Sequence, residues 1–218
     1  GGKYFLTETQ KDVARVHPID PGLLEGLWRQ LADPRPATEG LLLALPAASQ
    51  PMPAQLALPA LPAFTARDSA RADYGTKDLR QGFSVELRLK LNSLDAGQVL
   101  LDNRTPEGRG FCLQTVAGGA VEIVLNDGRS ESRWACDPGL LQAGQRHHVV
   151  AIVDGGPKII SFVVDGRLCD GGDARQFGWG RFNPHFRGPA GDATLRIGPS
   201  VQGEIRSVRI YRRAIRTS

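Results

Sequence analysis

The side chains best suited to ligand chemistry lie in a glycine-rich and aromatic segment, residues 169–187. Aromatic rings stack on the apolar face of a pyranose, glycines allow close approach, and arginines suit an anionic sugar. The alternative, which the sequence favours, is that the aromatic rings close one end of a hydrophobic core. If the segment binds a sugar, the candidate residues are Phe177, Trp179, Arg181, Phe182, His185 and Arg187.

Catalytic patterns are not found in the sequence. A retaining glycosidase needs two carboxylates about 5 Å apart, but Glu122 and Glu131 stand alone. His147 and His148 are adjacent in a predicted strand, so they point to opposite faces and cannot jointly bind one metal ion. We expect one of them inside and the other on the surface. The sequence therefore favours a non-catalytic protein over an enzyme.

Composition excludes other classes of protein. The 218 residues carry a net charge of +4, and Arg and Lys are scattered along the chain, so we expect no nucleic-acid partner. No apolar run approaches the roughly 18 residues that span a bilayer, so we expect no membrane insertion. Cys112, Cys136 and Cys169 form no CxxC pair. One disulfide with one free thiol and three buried thiols are equally compatible with the sequence.

The elements that must position the aromatic segment are strands. In residues 83–91 apolar and polar side chains alternate strictly, which predicts a half-buried strand of an antiparallel sheet. Two apolar runs, 146–154 and 158–165, flank a Gly-Gly-Pro turn and predict a hairpin. Further strands are predicted at 98–102, 110–115, 121–126, 129–136, 194–197 and 203–211. This pattern predicts an all-β, two-sheet antiparallel sandwich.

The first 64 residues have a different character. Asp20 as N-cap and Pro21 at the first helical position begin a predicted short helix that ends at Asp33. The prolines of residues 34–62 exclude a continuous helix or a central strand, but the leucines are too many for a solvated linker. We expect a strap that lies against the β domain or links it to another domain. The predicted division is 1–64 for the helix and strap, and 65–218 for the sandwich.

The order of these strands resembles the laminin G-like, concanavalin A-like domain of bacterial secreted proteins. The resemblance rests on 83–89, 140–154, the strand ending in Asp-Gly at 160–167, 195–198 and 203–215, and covers about residue 65 to the end. Arg146 departs from the tryptophan usual in the family. The resemblance implies a jelly-roll accessory module that binds an oligo- or polysaccharide or packs on a neighbouring catalytic domain, in a secreted, periplasmic or cell-surface protein.

The resemblance also implies alternative functions and a calcium site. Members on this fold include glycoside hydrolases and lyases, and others serve in adhesion or assembly, so these functions are the alternatives. Laminin G-like domains can hold calcium through oxygen ligands at a sheet rim. Asp127 and Asp165 precede glycines and are better explained by turn chemistry. No cofactor is required, and a structural calcium ion is expected, if anywhere, at Asp170 and Asp173.

Overall fold

The computed structural model describes residues 5–10, 13–18, 40–45, 52–62, 64, 82–186 and 188–215, the first two ranges as backbone only. The chain divides into two compact units, residues 1–38 and 39–218. The predicted helix at 20–33 and the candidate residue Arg187 lie outside the described residues. Within the described part of the chain, no helix is long and apolar enough to cross a membrane.

The first unit contains a β-hairpin. Its strands, β1 (Phe5–Gln10) and β2 (Val13–Pro18), pair antiparallel along their whole length. The sequence here mixes polar and apolar residues without a sustained period, so it does not predict these strands.

The second unit is a sandwich of two antiparallel sheets, which confirms the predicted all-β fold. Its strands are β3 (Leu41–Leu45), β4 (Gln55–Ala57), β5 (Gly82–Leu91), β6 (Val99–Asp102), β7 (Gly110–Val116), β8 (Ala120–Asn126), β9 (Glu131–Ala135), β10 (Arg146–Asp154), β11 (Ile159–Val164), β12 (Arg167–Leu168), β13 (Trp179–Arg181), β14 (Thr194–Ile197) and β15 (Gly203–Tyr211). Sheet 1 has the order β12-β11-β10-β5-β15-β3, with β13 also paired to β11. Sheet 2 has the order β4-β14-β6-β7-β8-β9.

The core lies between the inner faces of the two sheets, and β5 is the central strand of sheet 1. The apolar side chains of its alternation are at most 1% exposed: Phe83, Val85, Leu87, Leu89 and Leu91. Leu87 lies opposite Val149 of β10 and Val208 of β15, both fully buried. The outer face of a sheet is defined below as the face that points away from this core.

The proline-rich strap contributes one strand to each sheet. The proline-free run Leu41–Leu45 forms β3 at the edge of sheet 1, and Gln55–Ala57 forms β4 at the edge of sheet 2. Pro46 follows β3, and Pro53 and Pro59 flank β4. Because proline cannot donate to a ladder, edge positions are where such short strands are tolerated.

The outer face of sheet 1 carries a buried carboxylate. Glu86 accepts hydrogen bonds from Tyr211 Oη at 2.7 Å, His148 Nε2 at 3.1 Å and Arg209 Nη1 at 3.2 Å. Burial alone would raise the pKa of Glu86, but the hydrogen bonds from His148 and Tyr211 and the charge of Arg209 lower it to about 2. Burial and the hydrogen bond to Glu86 raise the pKa of Tyr211 to about 12.

The histidine doublet divides between the two faces, as predicted. His147 is buried, and its Nδ1 lies 2.8 Å from Asp165 Oδ2, while the backbone N–H of Gln142 donates to its Nε2 at 2.9 Å. Because Nε2 accepts, Nδ1 carries the proton and donates to Asp165. Asp165 also begins a turn in which both it and Gly166 have positive φ, 50° and 78°, as a type I′ turn requires. The turn interpretation of Asp165 is therefore confirmed.

The Glu86 cluster predicts acid sensitivity. A carboxyl whose pKa is lowered on folding stabilises the native state above its unfolded pKa, and this contribution is lost as the pH falls through the folded pKa. The pKa of Glu86 falls from an ordinary value of 4.5 to about 2 in the folded protein. We therefore expect the free energy of unfolding to fall by about 3 kcal/mol between pH 5 and pH 2 through this group. Urea unfolding of the wild type and of Glu86→Gln across this range measures it. The wild type should be the more stable at pH 7, and equal pH slopes in the two proteins would contradict the assignment.

Candidate functional site

The aromatic segment folds back onto sheet 1 as a short strand that the sequence does not predict. In β13, Trp179 lies opposite Ser161 and Arg181 opposite Ile159 of β11. Alternate residues of a strand point to opposite faces, so Trp179 and Arg181 share the outer face of sheet 1. Gly180 and Phe182, the alternate residues, point inward.

The outward side chains form a row of two stacked rings and a cation, called here the aromatic row: Phe177, Trp179 and Arg181. The ring centroids of Phe177 and Trp179 are 5.1 Å apart with an interplanar angle of 27°. The guanidinium carbon of Arg181 lies 5.5 Å from the Trp179 centroid. Phe177 is 49% exposed, one of two large apolar side chains that are exposed in the described part of the chain. A solvent-facing ring beside a cation is suited to stacking on a sugar ring and attracting its negative charge.

The inward side of β13 is held by Trp134 of β9, which is an edge strand of sheet 2. A β-carbon added to Gly180 would overlap the Trp134 ring, and Trp134 Nε1 donates to the Gly178 carbonyl at 3.3 Å. The Arg175 guanidinium carbon lies 4.3 Å from the centroid of the Trp134 ring. The aromatic row therefore lies where an edge of sheet 1 meets an edge of sheet 2.

A second anchor ties the start of the segment to the end of β9. Asp137 accepts hydrogen bonds from the backbone N–H groups of Asp170 at 3.0 Å and Gly171 at 3.1 Å. Arg175 donates to Asp137 at 2.7 Å and to the Ala135 carbonyl at 3.0 Å. Sequence analysis missed Trp134, Asp137 and Arg175. The contacts that give these three residues their role join positions more than 30 residues apart, so the sequence shows only a tryptophan and an aspartate near a strand end.

The other predicted sugar-site residues are not assembled into the aromatic row. Phe182 is buried and packs with Phe64 and Phe186 at centroid distances of 5.5 and 5.7 Å, so its faces are not accessible to a sugar. His185 is exposed in a turn, where its backbone N–H donates to Asn183 Oδ1 at 2.9 Å. Part of the segment thus closes the core, which is the alternative that the sequence favours, and part of it faces solvent.

The two acidic residues considered for calcium do not form a set of metal ligands. Asp170 Oδ1 accepts the Gly172 N–H at 3.0 Å, and its Oδ2 lies 3.9 Å from Arg167 Nη2. Asp173 is exposed. Among the residues that the structure describes, no group of three or more His, Cys, Asp or Glu side chains is placed to hold a metal. Since Ca²⁺ takes six to eight oxygen ligands from carboxylates, carbonyls and water, these two side chains alone do not form such a site, and the calcium ion stays a prediction.

The outer face of sheet 2 carries a polar network that sequence analysis also missed. Asp102 binds Arg104 through both oxygens, at 2.9 and 3.1 Å, and lies 3.3 Å from Arg196. Burial would raise the pKa of Asp102, but the hydrogen bonds and charge of Arg104 lower it. Glu122 accepts a hydrogen bond from Gln114 at 3.1 Å and lies 3.4 Å from Arg133. The face therefore presents donors and acceptors that are already paired with each other.

The three cysteines are free, buried thiols in the described structure, which is one of the two alternatives left open by the sequence. Burial raises the pKa of Cys112 and of Cys136 to about 11 and also raises that of Cys169. Cys136 and Cys169 directly precede Asp137 and Asp170, so both belong to the anchor of the aromatic segment.

Comparison with known proteins matches residues 65–218 to the family model described as the concanavalin A-like lectin/glucanases superfamily. Comparison with curated proteins found no match. Among solved structures, the sialidase module CBM40 of Ruminococcus gnavus bound to α2,3-sialyllactose is similar, with 17% identity and a TM-score of 0.52 over 81% of this chain and 95% of that chain. The same module bound to α2,6-sialyllactose has 18% identity, a TM-score of 0.51 and the same coverage.

A leech intramolecular trans-sialidase in complex with 2,7-anhydro-Neu5Ac is also similar, with 18% identity and a TM-score of 0.51. The match covers 83% of this chain but 27% of the leech protein. At these identities the likeness concerns the fold.

The contact of Gly180 with Trp134 yields a prediction for the site. Replacing Gly180 by alanine places a β-carbon inside the Trp134 ring, so we expect a loss of about 1–3 kcal/mol in the free energy of unfolding. Thermal and urea unfolding measure this loss. In a Trp134→Ala background the same replacement should cost much less, and an equal cost in both backgrounds would contradict the contact.

The thiols yield a second prediction. Because all three are buried and burial raises their pKa values, we expect Ellman's reagent at pH 8 to label none of them in the folded protein. In denaturant without reductant it should label three. A count of one in denaturant would instead indicate a disulfide.

Proposed function

Because this chain belongs to the concanavalin A-like lectin/glucanases superfamily, we propose that it is a non-catalytic carbohydrate-binding module whose sugar site is the aromatic row. The observation that carries this proposal is the stacked pair of the exposed Phe177 and the half-buried Trp179 beside the exposed Arg181. A single exposed apolar side chain is ordinary, whereas a contiguous apolar patch often marks a binding site. The stacking gives a sugar an apolar platform, the exposed Phe177 ring supported by Trp179, that is already ordered before binding, which lowers the entropic cost of association.

The charge beside the platform favours an acidic sugar. Arg181 is exposed and lies against Trp179, whereas Asp137, the carboxylate of the anchor, is already bonded to Arg175. The similar modules were solved with sialyllactose, so sialylated oligosaccharides are the first ligands to test. A glycan ligand also fits the location outside the cytoplasm that the family resemblance implies.

Packing against a catalytic domain, and adhesion or assembly, are the runner-up functions. An enzyme, such as a glycoside hydrolase, is the less favoured alternative, because the carboxylates Glu86 and Asp102 have lowered pKa values. A general acid needs a raised pKa near the working pH. The outer face of sheet 2 is a second candidate surface for sugar binding, since Arg133 and Arg196 are 50% and 31% exposed there.

The proposal predicts a loss of binding when the platform is removed. Binding of α2,3- and α2,6-sialyllactose, with lactose as the uncharged comparator, can be measured by calorimetry on wild type, Trp179→Ala and Phe177→Ala. We expect each replacement to weaken sialyllactose binding about tenfold or more, because Phe177→Ala removes the exposed ring and Trp179→Ala removes the ring that supports it. Leu168→Ala is the matched control, since Leu168 is also 49% exposed on this edge, and its affinity should equal that of wild type.

The outcomes separate the alternatives. Undiminished binding by Trp179→Ala together with loss in Arg196→Ala would move the sugar site to the outer face of sheet 2. The absence of binding by wild type to any member of a broad glycan array would discard the carbohydrate-binding function. Unchanged thermal unfolding of Phe177→Ala shows that the loss is not due to unfolding.

A further inference from the structure

The central strands of sheet 1 bring four basic side chains together on the outer face. Arg88 of β5 lies opposite His148 of β10, and Lys90 lies opposite Arg146. Residues two apart on a strand share a face, so these four form a two-by-two block, named here the basic block. Side chains directly opposite each other have β-carbons about 5 Å apart.

Among the described residues, three members of the basic block have no anionic partner. Arg88 and Arg146 are exposed and Lys90 is half-buried. In the part of the chain that the structure describes, no hydrogen bond or ion pair joins the side chains of Arg88, Lys90 or Arg146 to a carboxylate. His148 differs, because its Nε2 is 3.1 Å from Glu86.

The carboxylates beside the block are already bonded elsewhere. Glu204 of β15 lies opposite Lys90, but its Oε1 is 2.9 Å from Arg206 Nε. Glu86 is held by Tyr211 and Arg209 as well as by His148. Arg88 and Arg146 therefore keep a positive charge at the centre of the sheet that forms no ion pair with a described carboxylate.

This arrangement is unfavourable for folding alone. Like charges directly opposite on neighbouring strands, as Lys90 and Arg146 are, destabilise a sheet. Neither a core contact nor an ion pair within the described residues offsets this cost for Arg88 or Arg146. An external anion would relieve it, and cations at successive outward positions of β5, Arg88 and Lys90, with Arg146 beside them, suit a ligand with repeated negative charges.

We propose that the basic block binds a linear acidic polysaccharide, bearing carboxylate or sulfate groups on successive sugars. Single-stranded nucleic acids are usually held by aromatic rings placed between basic groups, and the side chains of the block and its cross-strand neighbour Ser207 include no ring other than that of His148. The proposal does not depend on the aromatic row, because β11 separates β13 from β10 and β5.

The test compares dextran sulfate with uncharged dextran, which shares its backbone. We expect wild type to bind dextran sulfate with an affinity that falls as salt rises, and not to bind dextran. The double variant Arg88→Gln, Arg146→Gln should bind about tenfold more weakly or worse. The matched control is Arg109→Gln, Arg129→Gln, which removes the same charge from loop positions next to sheet 2 and should keep the wild-type affinity within about twofold.

Three results would overturn the proposal. The first is equal weakening in the two double variants, which would indicate attraction by net charge alone. The second is no binding of dextran sulfate by the wild type. The third is tighter binding of oligodeoxythymidine or of anionic lipid vesicles than of dextran sulfate. Trp179→Ala should retain dextran sulfate binding, so failure of the aromatic row and failure of the basic block are distinguishable.

Discussion

The inward row of β5 is the constraint on which the rest of the sandwich depends. Its five apolar side chains are at most 1% exposed, and burial of each contributes about 1.5–3 kcal/mol. Because side chains alternate with a period of two, a slip of one residue against β10 or β15 would turn the whole row outward. The register is thus strongly determined. It also decides which side chains meet on the outer face, including Glu86 and Arg88.

This determined register explains two different outcomes on one strand. Glu86 is brought beside Arg209 and within reach of His148 and Tyr211, so its burial is compensated by three donors. Two residues further on, Arg88 is brought opposite His148 and Ser207, and neither offers a carboxylate. The same core contacts therefore stabilise a satisfied anion at one position and, among the described residues, leave a cation without a carboxylate at the next. A satisfied buried group contributes to folding, whereas an exposed unsatisfied one is available for a ligand.

The sequence predicts the strands of the sandwich where periodicity and turn residues agree. The predicted 83–91, 146–154, 194–197 and 203–211 differ from β5, β10, β14 and β15 by at most one residue at either end. It does not predict β3 and β4, because these short edge strands sit among prolines and need an existing sheet to pair with. Nor does it predict β13, whose three residues are ordered by contacts with Trp134 and β11 that are distant in sequence.

The candidate site was predictable in part for the same reason. Aromatic and basic composition pointed to the segment that contains the aromatic row, but which rings face solvent depends on the strand phase. Placing Gly180 against Trp134 turns Phe182 into the core and leaves Phe177 and Trp179 outside. The carboxylate of the anchor is that of Asp137. It already accepts hydrogen bonds from Arg175 and from two backbone N–H groups. A sugar stacked on the aromatic row would therefore meet a cation and the exposed Phe177 ring, while the Asp137 carboxylate of the anchor is already bonded to Arg175.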